Sequence, residues 1–195
     1  DDFNELLDPI RAQYKELFFV VRCKFKGKTY SRCIYIWVDK DYAAIRGQFQ
    51  GYPKKIGSIH LTRPTTVGKA GPRLQPGGVF GATLAAYDHR LIQAKFTIEG
   101  ESDHAGFVNA LPMAHNRWMP AIECDGQDSL NEVVTMSGFD AEIGLTFKGS
   151  FEIDFFSSPV EEFQLLAPEE LIKGYYRQVG VSWKGGSTLA RSNLI

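Results

Sequence analysis

Residues 46–55 read RGQFQGYPKK, a stretch that combines glycine, proline and two adjacent lysines. Pro53 fixes its own φ angle and biases Tyr52 toward an extended backbone. Lys54 and Lys55 therefore leave a rigid turn and enter an apolar segment. Such a turn can aim a side chain at a fixed point, although lysine pairs are more commonly solvated surface charges.

Strand-forming residues lie on both sides of this stretch. Three pairs of segments are rich in β-branched and aromatic residues and flank short turns, the third of which is placed at Gly149. The predicted hairpins join residues 17–25 to 30–38, 79–87 to 91–99, and 139–148 to 151–155. Short strands at this spacing predict a curved antiparallel sheet that closes into a barrel or cone.

Little helix is predicted. Asp41 can cap a short helix over residues 42–46, and Gly47 would then end it. Residues 62–78 contain three prolines and four glycines and are predicted to form a long irregular loop. The predicted fold class is therefore mainly β (α+β) with few short helices, in a single domain over residues 1–195.

Composition and charge exclude several classes of function. The 195 residues include 22 Lys+Arg and 23 Asp+Glu, and a net charge of −1 gives no footprint for nucleic acid or an anionic membrane. No apolar run approaches the roughly 18–20 residues of a membrane span. Residues 1–5 are too acidic for a signal or transit peptide. We therefore expect a cytoplasmic protein whose partner is a small molecule.

Cysteine and histidine form no recognisable metal or disulfide pattern. Cys23, Cys33 and Cys124 are odd in number and lack CxxC spacing, which predicts reduced, mostly buried thiols. No two of the four histidines stand at the i, i+2 or i, i+4 spacing of metal ligands. We expect no metal.

The segment at residues 46–55 resembles the glycine, aromatic, proline, double-lysine signature of the acetoacetate decarboxylases. The resemblance extends over about residues 14–183 and includes Phe80-Gly81-Ala82-Thr83-Leu84 and the stretch from Pro159 to Phe163. It implies the fold of that family, no cofactor and assembly into a homo-oligomer.

The resemblance also implies roles for individual residues. Lys54 would form an imine (Schiff base) with the substrate, Lys55 would be the neighbouring cation, and Glu16 would be an acidic group near the reacting carbon. We further expect Tyr52 and Gln48 to contact the substrate. A solvated carboxylate in front of a strand is the simpler alternative for Glu16.

Imine chemistry makes demands on the surroundings of the lysine. An ordinary lysine has a pKa of about 10.4, and only the neutral amine attacks a carbonyl. Burial or a nearby positive charge would favour the neutral form. Since consecutive side chains of an extended segment point to opposite faces, Lys55 would point away from Lys54, and burial would be the larger cause.

The implied reaction is decarboxylation of a small β-keto acid such as acetoacetate. The family usually has Gly-Arg-Glu ahead of the signature where this chain has Arg46-Gly47-Gln48, and this difference leaves the substrate open. An imine-dependent aldolase or dehydratase acting on pyruvate-like keto acids is one alternative. A catalytically silent relative, in which Lys54 only pairs with a bound carboxylate, is another.

Overall fold

A computed structural model describes residue 8, residues 13–104, residue 106 and residues 110–192. The chain divides into two compact units, residues 1–56, 107–141 and 181–195 in the first, and 57–106 and 142–180 in the second. Of the helices in the described ranges, none is both long and apolar enough to span a membrane. That residues 1–195 form a single domain stays a prediction.

Strands dominate the described chain. In chain order they are β1 (Glu16–Phe25), β2 (Lys28–Val38), β3 (Lys54–Ile56), β4 (Ser58–Leu61), β5 (Val79–Ala86), β6 (His89–Ser102), β7 (Met113–Pro120), β8 (Asp128–Met136), β9 (Gly138–Phe155), β10 (Gly174–Trp183) and β11 (Ser187–Arg191). One α-helix, α1 (Asp41–Gln50), and a short 3-10 helix (Phe163–Leu166) complete the described elements. The predicted mainly β class with few short helices is confirmed.

The first unit contains a six-stranded sheet in the order β1-β2-β7-β8-β11, with β3 also paired to β2. Its pairs are antiparallel, except that β2 pairs parallel with β3 and with β7. The predicted hairpin of β1 and β2 is confirmed, and its tight turn is made by Lys26 (φ 48°) and Gly27 (φ 79°). Two successive positive φ angles match the right-handed twist of the flanking strands.

Helix α1 is longer than predicted. It runs to Gln50, so the prediction that Gly47 ends it is wrong. The helix ends instead at Gly51, whose φ of 85° is the left-handed conformation that glycine adopts without strain. Ala43 and Ala44 of α1 pack into the apolar core of this unit.

A buried carboxylate links three strands of the same sheet. The Glu132 side chain on β8 is only 1% exposed and accepts hydrogen bonds from Arg117 on β7 and from Arg191 on β11. Thr188 donates a third hydrogen bond at 3.3 Å. Burial alone would raise the pKa of Glu132, but the Arg191 hydrogen bond and the Arg117 charge hold it below its ordinary value of 4.5.

The second unit contains a five-stranded sheet in the order β10-β9-β6-β5-β4. The predicted hairpin of β5 and β6 is confirmed, with Tyr87 at a φ of 55° in the turn. Phe80, Phe96, Ile98 and Phe147 form one buried apolar cluster of this unit. Residues 62–78, predicted to be irregular, contain no helix or strand.

The third predicted hairpin is wrong, because β9 is one continuous strand through Gly149. Gly149 lies opposite Ile98, next to a shift in the β6–β9 register, and a Cβ there would collide with the carbonyl oxygen of Thr97. Glycine therefore permits close backbone contact at a bulge and makes no turn.

Of the three thiols, Cys33 is buried, Cys23 is half-buried and Cys124 is exposed, so the prediction of mostly buried thiols holds for Cys33 alone.

Candidate active site

The turn between α1 and β3 fixes the start of the site. Gly51 and Tyr52 donate backbone hydrogen bonds of 3.1 and 2.9 Å to the carbonyls of Gln48 and Gly47, which close the helix C-terminus. A Cβ at Gly51 would lie 3.1 Å from the carbonyl oxygen of Asn116 on β7. Glycine is therefore needed here both for its positive φ and for this close approach.

Strand register brings Lys54 and Glu16 together although they are 38 positions apart in the sequence. Lys54 pairs with Ile36 on β2, and Ile36 in turn pairs with Phe18 on β1. Residues opposite each other in a sheet share a face, and so do residues two apart on one strand. Glu16 therefore lies diagonally across from Lys54 on the same face of the sheet.

The amine of Lys54 is enclosed, with only 6% of its side chain exposed. It donates a hydrogen bond to the Glu16 carboxylate, with Nζ 3.3 Å from Oε2. The rings of Tyr14 and Tyr52 flank the nitrogen, with centroids 5.3 and 5.7 Å away. Aromatic faces and one carboxylate thus replace most of the water around this cation.

Gly47 makes room for the lysine. A Cβ built on Gly47 would lie 2.7 Å from Cγ and 2.8 Å from Cε of Lys54, and closer still to Cδ. The lysine methylenes therefore pass directly over the helix backbone at this position. This contact explains a glycine in the middle of α1, where it costs about 0.5–1 kcal/mol relative to alanine.

A cavity of about 410 Å³ opens in front of Lys54. Its polar lining consists of Tyr14, Glu16, Arg46, Gln50, Tyr52 and Lys54. Its apolar lining consists of Phe18, Ile36, Met113, Met136, Val181 and Trp183. A volume of this size falls within the roughly 300–1,000 Å³ of small-molecule sites, and the mixed lining is typical of them.

Neighbouring groups indicate that the surroundings of the cavity are poor in water. Burial raises the pKa of the Cys33 thiol to about 12, and the charge of Glu16 acts in the same direction. Burial also raises the pKa of Tyr52. The pKa of His115, whose ring lies 4.1 Å from that of Tyr52, is lowered to about 4 by burial and by the charge of Arg32. His115 is therefore neutral at physiological pH.

The second lysine of the pair points the other way. Lys55 lies 5.5 Å from the ring of Tyr35 and 5.7 Å from that of Trp37, and these two rings stack on each other. Tyr35 and Trp37 lie on the face of β2 opposite to Ile36, because successive residues alternate. Lys55 does not line the cavity.

The structure brings Lys54, Glu16 and Tyr52 together as the sequence predicts, but it does not bring Gln48 to the cavity. Gln48 is exposed, and Gln50 lines the cavity in its place. Sequence reasoning also missed Arg46. The signal was the four-residue spacing of Arg46 and Gln50, which places both on one face of a helix that continues past Gly47.

A metal is not suggested by the side chains. Among the residues that the structure describes, no three His, Cys, Asp or Glu side chains are grouped so that they could hold a metal ion. The polar groups of the cavity are one carboxylate, two phenols, an amide, an ammonium and a guanidinium. Such a set suits an anionic carbonyl compound.

Comparison with known proteins gives one family match and several similar solved structures. The family described as Acetoacetate decarboxylase (ADC) matches residues 3–192. The solved structure of the enduracididine biosynthesis enzyme MppR complexed with pyruvate is 35% identical, with a TM-score of 0.86, over 95% of this chain and 70% of that one. The same enzyme complexed with the condensation product of pyruvate and imidazole 4-carboxaldehyde gives the same identity and coverage with a TM-score of 0.87.

An acetoacetate decarboxylase-like enzyme from Sphingomonas wittichii RW1 is also similar. It is 28% identical with a TM-score of 0.86, over 96% of this chain and 73% of that one. No curated protein sequence gives a significant match. These similarities confirm the predicted fold, and the chain belongs to the acetoacetate decarboxylase family.

Proposed function

We propose that this protein is a carbon–carbon lyase that acts on a small keto acid through a covalent imine at Lys54. The observation that carries the proposal is an amine only 6% exposed, paired with Glu16 and facing a cavity of about 410 Å³. A solvated surface lysine would have neither the enclosure nor the cavity. Membership in the acetoacetate decarboxylase family supports the same chemistry.

The proposed cycle begins with loss of a proton from Lys54. Glu16 is positioned to accept it, since its oxygen already accepts the lysine hydrogen bond at 3.3 Å. The neutral amine attacks the substrate ketone, and Glu16 returns the proton to the departing hydroxyl group, so that loss of water leaves a protonated imine and an ionised Glu16. The imine nitrogen takes up the electron pair as the bond to the carboxylate breaks and carbon dioxide leaves. The resulting enamine is protonated at carbon and then hydrolysed.

Two cavity residues can hold the substrate carboxylate. Arg46 and Gln50 lie one turn apart on α1 and both line the cavity. A guanidinium binds a carboxylate with two parallel hydrogen bonds, and an amide can add a third. In this proposal these two residues orient the keto acid, while Lys54 attacks its carbonyl.

Decarboxylation of a β-keto acid is the first candidate reaction. The carboxylate of Glu16 lies beside the amine, where it would repel a second carboxylate held close to the reacting carbon. Such repulsion raises the free energy of the bound substrate more than that of the transition state, in which the negative charge moves onto the imine. The preference for this reaction comes from Glu16 and from the family.

Aldol condensation followed by dehydration is the second candidate. It is favoured by the structures of MppR, which hold pyruvate and a condensation product of pyruvate. Both reactions pass through the same imine and enamine, and they differ in whether the substrate carboxylate is lost or retained. Absence of a cofactor, assembly into a homo-oligomer and a cytoplasmic location also remain proposals.

Reductive trapping tests the proposal. The protein is incubated with acetoacetate or pyruvate, treated with sodium borohydride and weighed intact by mass spectrometry, and carbon dioxide is measured in parallel. A covalent adduct with carbon dioxide release from acetoacetate supports a decarboxylase. An adduct without carbon dioxide, but with a condensation product from pyruvate and an aldehyde, supports the second candidate. No adduct with either acid contradicts the proposal and leaves a passive carboxylate-binding protein.

A further inference from the structure

Imine chemistry needs a group that delivers a proton to the enamine carbon. In that step the enamine carbon–carbon π pair forms a new C–H bond, the donor O–H bond breaks, and the donor later recovers a proton from water. In the proposed cycle Glu16 has already returned its proton to the departing water when the enamine forms, and an ionised carboxylate can only accept a proton. A different hydroxyl must therefore donate.

Two phenols flank the Lys54 nitrogen, and their surroundings differ. The hydroxyl of Tyr14 accepts a hydrogen bond of 3.4 Å from Nη2 of Arg46. The guanidinium carbon of Arg46 also lies 5.8 Å from the centre of the Tyr14 ring. A neighbouring cation stabilises the phenolate that remains after the proton has left.

Tyr52 has the opposite environment. Burial raises its pKa, and the neighbouring Cys33, Glu16 and Tyr14 act in the same direction. Each of these causes disfavours the phenolate. This difference favours Tyr14, whose hydroxyl accepts a hydrogen bond from a guanidinium.

The guanidinium behind Tyr14 also contacts a second aromatic ring. Arg46 lies 5.6 Å from the ring of Tyr42, and Tyr42 packs edge to face against Tyr14 at a centroid distance of 5.8 Å. The guanidinium thus contacts two aromatic rings that are perpendicular to each other within 5°. The guanidinium therefore already lies next to the oxygen on which negative charge develops when Tyr14 loses its proton.

We propose that Tyr14, with the Arg46 guanidinium behind it, is the catalytic acid that protonates the enamine carbon. This inference rests on the proposed imine at Lys54. By microscopic reversibility the same oxygen, as phenolate, removes a proton from the methyl group of a pyruvate imine. The enzyme should therefore exchange the methyl hydrogens of pyruvate with deuterium from the solvent.

The test measures this exchange by proton NMR in deuterium oxide and measures imine formation by borohydride trapping. In Tyr14→Phe, adduct formation should persist at the wild-type yield, while exchange falls about 100-fold or more, as is usual for loss of a general acid. Tyr52→Phe should lose much less exchange. Tyr35→Phe, on the opposite face of β2, is the matched control and should behave as wild type.

A second pair of variants keeps the test decisive if Tyr14→Phe does not fold. Arg46→Gln should lower exchange at saturating pyruvate about tenfold or more, and Arg46→Lys should recover part of that loss because it restores the charge. Wild-type exchange in Tyr14→Phe or Arg46→Gln, or loss of the adduct in Tyr14→Phe, overturns the assignment of Tyr14. Absence of any adduct in the wild-type protein overturns the proposed function and this inference together.

Discussion

Replacing Gly47 by alanine should displace the reactive lysine without unfolding the protein. The added methyl group would lie 2.7–2.8 Å from Cγ and Cε of Lys54, well inside van der Waals contact. Alanine is favoured over glycine in a helix by about 1 kcal/mol, and overpacking costs about 1–3 kcal/mol, so the net loss of stability is about 0–2 kcal/mol. Because the fold tolerates this cost, we expect the lysine side chain to move away from the new methyl group by a few tenths of an ångström to about 1 Å.

That shift should be costly for chemistry. A misplacement of about 1 Å at a reacting group can reduce the rate about 100-fold. We expect the rate of borohydride-trapped adduct formation to fall 10- to 100-fold in Gly47→Ala, while the urea midpoint falls by no more than about 1 M. Gly100→Ala is the matched control, since a Cβ at Gly100 has no atom within 4 Å and should leave both quantities unchanged.

Two results would refute this reasoning. Wild-type trapping in Gly47→Ala would mean that the lysine position does not depend on the missing Cβ. A loss of more than about 4 kcal/mol would mean that the contact supports the fold itself, since ordinary overpacking rarely costs so much.

Three further predictions concern the same unit. Glu132→Gln should lower Tm by about 5–10 °C in a thermal scan at pH 7, because it removes the buried charge between two guanidiniums. Since the folded pKa of Glu132 lies below 4.5, its contribution is present above pH 4.5 and is lost as pH falls, so the variant should show less acid sensitivity. His115→Phe should make stability less dependent on pH. The pKa of His115 is about 4 in the folded protein against an ordinary 6.5, so the wild type should lose up to about 3 kcal/mol of unfolding free energy as pH falls from 6.5 to 4. Urea unfolding at several pH values should show that the variant keeps this stability. Finally, Gln50→Ala should raise KM for the keto acid about 10-fold, whereas Gln48→Ala should leave it within about twofold; equal effects would contradict the placement of Gln50 in the cavity.

The predictable part of the fold was carried by local patterns. The first two hairpins follow from strand-forming segments around short polar turns, and the loop at residues 62–78 follows from its prolines and glycines. Two glycines gave wrong predictions for one physical reason. The conformation of their own backbone predicts an end or a turn at Gly47 and Gly149, but each glycine is required by a contact with another segment, Gly47 with Lys54 and Gly149 with Thr97.

The candidate site was predictable only in part. Lys54 and Glu16 were linked by the family resemblance, and no local pattern connects two residues that meet through the register of three strands. A helix that ended at Gly47 would not place Arg46 and Gln50 on the same face, so the prediction of an early helix end hid this pair. The sequence therefore predicts Gln48 as the glutamine that contacts the substrate, whereas Gln50 lines the cavity.

The most direct test of the account is to locate the covalent bond. Protein treated with pyruvate and borohydride is digested, and its peptides are sequenced by tandem mass spectrometry. The account predicts one modified lysine, Lys54, with no adduct in Lys54→Arg and a normal adduct in Lys55→Met. Modification spread over several surface lysines, or an adduct that persists in Lys54→Arg, would contradict it.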